Sequence, residues 1–163
     1  LEWTDEKTLN GSNSLRFTKG TSATSLNSAL RFLIPATPGC VSLGFVNFLF
    51  PIDYAPADPD ETHELYFRLF WVRSIGPDEY GRPIIVRELF AGYTTMNVPR
   101  AGSDDWQRIL LSTTYSETSG DPLAEARTHS PEWSSHLAIY LDTQALPDEQ
   151  VFYMADMHVN FLR

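Results

Sequence analysis

The closing stretch, Val151-Phe152-Tyr153-Met154-Ala155-Asp156-Met157-His158-Val159-Asn160-Phe161-Leu162, decides how the rest of the chain is read. Val151, Tyr153, Ala155, Met157, Val159 and Phe161 fall on one side of an extended strand. Phe152, Met154, Asp156, His158, Asn160 and Leu162 fall on the other. Strand side chains alternate between faces, so this spacing predicts one side in a core and a mixed side carrying Asp156, His158 and Asn160. A last strand of this character, after others like it, reads as one β-sandwich.

Upstream runs have the same character. Ser14–Thr18 alternates with Leu15 and Phe17 inward, and Ala29–Ile34 stops at Pro35. Val41–Phe50 is a long apolar run stopped by Pro51. His63–Arg73, Ile84–Tyr93 and Trp106–Ser112 follow. His136–Asp142 places Leu137, Ile139 and Leu141 on one face. Turn chemistry separates these runs: Asn10-Gly11-Ser12, Pro38-Gly39, the stretch Gly76 to Pro83, Ser119-Gly120-Asp121-Pro122 and Leu146-Pro147-Asp148-Glu149. Helical spacing is confined to Pro122–Thr128, and Asp53–Thr62 is a Pro-broken polar loop. Many short strands with such punctuation predict an all-β fold, a β-sandwich of two antiparallel sheets, in a single domain spanning residues 1–163.

Composition narrows the function. At 163 residues, 42% hydrophobic and 13% aromatic, the chain is long and apolar enough for a two-layer core. Ten Phe, seven Tyr and four Trp exceed what that core needs, so some rings are expected at the surface, where they bind something. A net charge of -9 with scattered Arg residues argues against nucleic acid. The one cysteine, Cys40, permits no intrachain disulfide and no Cys-based zinc site, and is expected to be buried at a strand start. No apolar run reaches membrane-spanning length. The chain opens at Leu1 without an initiator Met, which reads as a module of a longer protein.

Three segments, in order, carry a family likeness: Gly-Ser-Asn-Ser-Leu-Arg-Phe-Thr (11–18), Asp-Trp-Gln-Arg-Ile-Leu-Leu (105–111), and His136–Thr143 followed by Phe152–Val159. Together they resemble the carbohydrate-binding modules of the galactose-binding-like jelly-roll group, of the type attached to xylanases and β-glucanases. The resemblance implies a jelly roll, a core position for Trp106, and a secreted or cell-surface setting. It implies a polysaccharide partner of β-glucan or xylan type, an attached catalytic domain, and no chemistry of the module's own. A monomer with no nucleic-acid or membrane partner is expected. The resemblance also brings a structural calcium ion, held in part by an Asp of the closing strand. In this chain that position is Ala155, expected to face inward. Asp156 beside it, with Glu2 and Asp5 near the start, are the candidate ligands, and calcium needs several oxygens converging on one point.

Sugar recognition needs aromatic faces for the C–H side of the ring and planar polar groups for its hydroxyls. His63–Arg73 offers both. With Leu65, Phe67, Leu69 and Trp71 in the core, Tyr66 and Arg68 stand on the open side. Arg87 or Glu88 of the next strand is expected beside Arg68, and Tyr140 and Asp142 lie on the polar side of their own strand. Tyr80, displayed by its turn, and Trp133, in the polar connection Glu117–Ser135, are loop candidates. Catalytic motifs are missing: no G-x-S-x-G surrounds a Ser, and His63-Glu64 lacks the second His of H-E-x-x-H. A sandwich that packs on a neighbouring domain without a sugar site is the alternative, and a small lyase or hydrolase using paired acids is the third reading.

Overall fold

Alternating side chains extend into nine strands among the residues that the computed structural model describes, namely 1–20, 29–56, 63–113, 128–144 and 146–163. They are β1 (Glu2–Leu9), β2 (Ser12–Thr18), β3 (Ala29–Pro35), β4 (Val41–Leu49), β5 (Glu64–Pro77), β6 (Pro83–Asn97), β7 (Trp106–Ser112), β8 (His136–Asp142) and β9 (Val151–Leu162). A five-stranded sheet has the order β1-β2-β9-β4-β7, and a four-stranded sheet the order β3-β8-β5-β6. All pairings are antiparallel. With β1 as an addition at the edge, the remaining strands follow the jelly-roll order. The expected sandwich is therefore present. The run expected to be helical, Pro122–Thr128, lies outside the described residues except for Thr128, as do residues 57–62 of the polar loop and 117–127 of the long connection.

One layer of apolar side chains from each sheet fills the space between them. β5 supplies Leu65, Phe67, Leu69 and Trp71, and β8 supplies Leu137, Ile139 and Leu141, all fully buried. Phe48 of the opposite sheet meets Phe67 edge-on at 6.4 Å and Phe152 at 5.9 Å. Each such side chain contributes roughly 2 kcal/mol by leaving water. Leu15, Phe17 and Cys40 are buried as expected.

The closing strand differs from its expected alternation. Phe152 and Met154 enter the core, while Tyr153 and Ala155 point outward. Along β4, Phe45 pairs with His158 but Asn47 pairs with Ala155, so β9 carries an extra residue opposite Val46. Asp156 adopts φ 48° at this bulge. An inserted residue reverses the phase of a strand. Beyond it Met157, Val159 and Phe161 pack against the core, as alternation alone predicted. Beside the bulge the strands close in at Gly44, paired with Val159, where a β-carbon would collide with the His158 carbonyl oxygen.

Trp106 is a second correction. Ile109 and Leu111 take the inward positions of β7, which leaves Trp106 half-buried on the outward side opposite Leu49. β1 carried no apolar alternation to announce it. It forms because β2 offers an edge: Glu2 pairs with Arg16, Trp3 with Leu15 and Thr4 with Ser14.

Candidate functional site

The outward side of the four-stranded sheet gathers what β5, β6 and β8 do not bury. Register sets the rows. Arg68 stands between Tyr93 and Tyr140, Tyr66 between Thr95 and Asp142, and Phe70 between Phe90 and Ala138. The rings make one continuous chain across three strands. Tyr66 lies 6.3 Å from Tyr93, Tyr93 stacks 6.4 Å from Phe90, Phe90 meets Phe70 at 5.4 Å, and Phe70 meets Tyr140 at 5.2 Å. Offset and edge-on pairs of this kind are mutually attractive, so the platform is held in shape by its own rings.

Polar groups close one end of that platform. Arg68 Nη2 donates to Asp142 Oδ2 at 2.9 Å, and its guanidinium lies 5.9 Å from the Tyr66 ring. Asp142 Oδ1 also accepts the Gln144 N–H at 3.0 Å. The Tyr66 hydroxyl donates to Glu64 at 2.8 Å. That bond, with the charge of Glu64, pushes the phenol above its ordinary value, so it remains a neutral donor. His63, Glu64, Tyr66, Arg68, Asn97, Asp142 and Gln144 line an open hollow of about 730 Å³. Carboxylates with spare lone pairs sit next to a guanidinium with spare N–H groups, an arrangement that exchanges hydrogen bonds with neighbouring hydroxyls.

Lys19 ties down the rim. Its side chain is 8% exposed, and its ammonium lies 3.1 Å from Asp148 Oδ1 and 3.4 Å from the Gln144 carbonyl, with the Leu146 carbonyl as a third acceptor. Lys19 N donates to the Gln150 carbonyl at 3.2 Å, and Glu149 N donates to the Lys19 carbonyl at 2.9 Å. The end of β2 thereby anchors the connection that carries Gln144.

Of the residues singled out from the sequence, Tyr66, Arg68, Tyr140 and Asp142 come together here. Arg87 and Glu88 do not join them: Arg87 pairs with Arg73, and Glu88 with Val72. The reason is the hairpin register, which sets Tyr93 opposite Arg68 and leaves Arg87 and Glu88 five and four rows further along β5. Arg87 instead lies 4.2 Å over the ring of Trp133, uniting two candidates away from the platform. Tyr80 is 73% exposed at the tip of the β5–β6 hairpin, at the far end of β5 from Tyr66. Asp78 braces that turn by accepting Tyr80 N at 2.9 Å and Arg82 N at 2.8 Å on Oδ1. Chiefly the bond from the Arg82 backbone holds the Asp78 carboxyl below its ordinary value. Asp156 and His158 belong to the other sheet, where the His158 ring lies tilted 5.1 Å from Phe45.

The candidate calcium ligands are dispersed. Glu2 pairs with Arg16 at 2.8 Å on the edge strand, Asp156 sits at the β9 bulge, and Ala155 faces outward rather than inward, paired with Asn47. Among the described residues no three His, Cys, Asp or Glu side chains converge as metal ligands.

Sequence reading missed Tyr93, Phe90, Asn97, Gln144 and Lys19. Tyr93, Thr95 and Asn97 alternate within β6, a usable signal, but only the register with β5 places them beside Tyr66. Lys19 carried no signal, since its partners are mostly backbone oxygens.

No protein-family model matches the chain, and no curated protein matches it. Among the described residues no helix is long and apolar enough to cross a membrane.

Proposed function

We propose that this β-sandwich binds a polysaccharide on the outward side of its four-stranded sheet and acts as a non-catalytic targeting module. The observation that carries this reading is the juxtaposition of the ring platform with the Arg68–Asp142 and Tyr66–Glu64 pairs at the 730 Å³ hollow. A pyranose has an apolar C–H side and an edge of hydroxyls. Tyr66, Tyr93 and Tyr140 suit the first, and Arg68, Asp142, Glu64 and Gln144 suit the second. The family resemblance points to a neutral β-glucan or xylan, and to an attached enzyme in a secreted protein. Holding that enzyme near its substrate raises its effective concentration there. Each site exchanges water for protein with small net gain, so affinity is modest.

Affinity electrophoresis and calorimetry against neutral and carboxylated polysaccharides test the reading. The expected result is retardation by a neutral glycan, weakened about tenfold by Tyr66→Ala or by Arg68→Ala, and unchanged by Tyr80→Ala. A panel in which no glycan retards the protein, or in which Tyr66→Ala binds like the parent, overturns it.

A second reading, a contact module without a sugar site, rests on a different place. Leu43, Met96, Ile109 and Leu110 line a more apolar hollow of about 590 Å³ where the edge strands β6 and β7 meet. Loss of partner-domain association in Leu110→Asp, with glycan binding absent in the parent protein, favours that reading.

A further inference from the structure

The β5–β6 hairpin holds a juxtaposition that neither packing nor the glycan platform uses. Arg73 and Arg87 are direct cross-strand partners, and both are exposed. Side chains so paired start about 5 Å apart at their β-carbons, and like charges placed there repel. Among the described residues neither guanidinium forms an ion pair. Glu88 cannot neutralise them from its own position, because it alternates to the other side of β6 opposite Val72. Immediately after the pair the register shifts, with Ser74 opposite Ile85. Bulges of this kind re-aim side chains and recur next to sites.

Trp133 backs the pair. Its ring lies 4.2 Å beneath the Arg87 guanidinium. The segment that carries it is fixed to β5 beyond the end of β8: Ser135 N donates to the Val72 carbonyl at 2.8 Å, and Ser74 N donates to Ser135 Oγ at 2.9 Å. Ser134 closes the local turn, its N and Oγ donating to the Pro131 carbonyl at 3.0 and 2.8 Å. A guanidinium held over an aromatic ring keeps N–H groups free and loses little freedom when they meet a partner.

We propose that Arg73 and Arg87, backed by Trp133, form a binding site for an oxyanion. The shared chemistry is a pair of oxygens bearing negative charge, as in a sulfate ester, a phosphate or a carboxylate of a larger ligand. Such an anion fits between two forks of N–H donors and removes the repulsion that the bare pair carries. The site is separate from the glycan platform, and it stands or falls without it.

Titration of the whole chain with sodium sulfate, phosphate and acetate, at ionic strength held constant with chloride, tests this. The Trp133 indole N–H and the Nε–H signals of Arg73 and Arg87 report binding by NMR. The expected result is a saturable shift with at least one oxyanion, about tenfold weaker in Arg73→Gln and unchanged in Arg16→Gln, on the other sheet. The oxyanion that saturates at the lowest concentration identifies the ligand group. Because Arg73 is exposed, its variant keeps the test valid even where Arg87→Gln fails to fold. Shifts no larger than those from chloride, or an undiminished response in Arg73→Gln, overturn the proposal.

Discussion

Leu49, Tyr153, Asn47 and Ser14 point outward from the five-stranded sheet, and each is buried. Tyr66, Arg68, Phe70 and Tyr140 point outward from the four-stranded sheet, and each is half-exposed. β1 supplies part of the cover. Its first residues pair along β2, its register breaks after Thr4, and pairing resumes where Leu9 meets Ser12. Glu6 hydrogen-bonds the Tyr153 phenol, which burial, followed by that bond, pushes above its ordinary value. Lys7 reaches Asp104 at 2.9 Å, in the turn leading into β7 at the opposite edge of the sheet. Both ends of β1 stay on the β2 edge, and its bulged middle, through Glu6 and Lys7, reaches over the sheet's outward side. The four-stranded sheet has no such strap among its described residues, so its rings stay available. Alternation thus says which side of a strand avoids the core, and a remote segment decides whether that side meets water.

The largest expected effect separates the two outward sides. Leu49→Ala should cost about 3 kcal/mol, as a core truncation does, because its side chain is enclosed. Tyr66→Ala should cost about 1 kcal/mol while weakening glycan retention about tenfold. Urea unfolding of both variants checks this, and equal costs would break the contrast between a covered and an open sheet.

The bulge offers an intermediate effect. Asp156 holds φ 48°, a conformation that Asp tolerates and a β-branched residue resists. Asp156→Val should destabilise by about 2 kcal/mol, whereas Asp156→Gly should fall within about 0.5 kcal/mol of the parent. If Val is accepted as readily as Gly, then the phase reversal in β9 does not depend on that backbone geometry.

The smallest effect belongs to the strap itself. The hydrogen bond from Lys7 is the chief cause holding the Asp104 carboxyl below its ordinary 3.8, and the same bond holds the Lys7 ammonium above its ordinary 10.5. A depressed carboxyl stabilises the fold above its unfolded value and loses that contribution as pH falls through the folded one. A raised ammonium contributes fully below its unfolded value and loses that contribution as pH rises through the folded one. Both groups are about one-third exposed, so Lys7→Met should cost only about 0.5 kcal/mol at neutral pH. The difference from the parent should vanish in thermal melts as pH drops below 3.8, and should shrink again above 10.5. A difference that persists through acid would assign the strap's hold to packing rather than to this ion pair.

Much of the architecture was readable one strand at a time. The alternation in Leu65–Trp71, in Leu137–Leu141 and in Leu15–Phe17 set those strands and their buried sides, because side-chain direction along a strand is a local, period-two property. The same property placed Tyr66 and Arg68 on the open side of β5 and Tyr140 on that of β8. Three things needed the folded molecule. The bulge at Asp156 adds a backbone residue without any apolar signal, so Phe152 and Met154 exchanged sides with Tyr153 and Ala155. The register of the β5–β6 hairpin set Arg87 opposite Arg73 and Tyr93 opposite Arg68. The bulged middle of β1, whose residues are mostly polar, covers part of one outward side, while the other stays open. Each of these rests on backbone pairing between segments far apart in the chain, and no short window of residues carries that register.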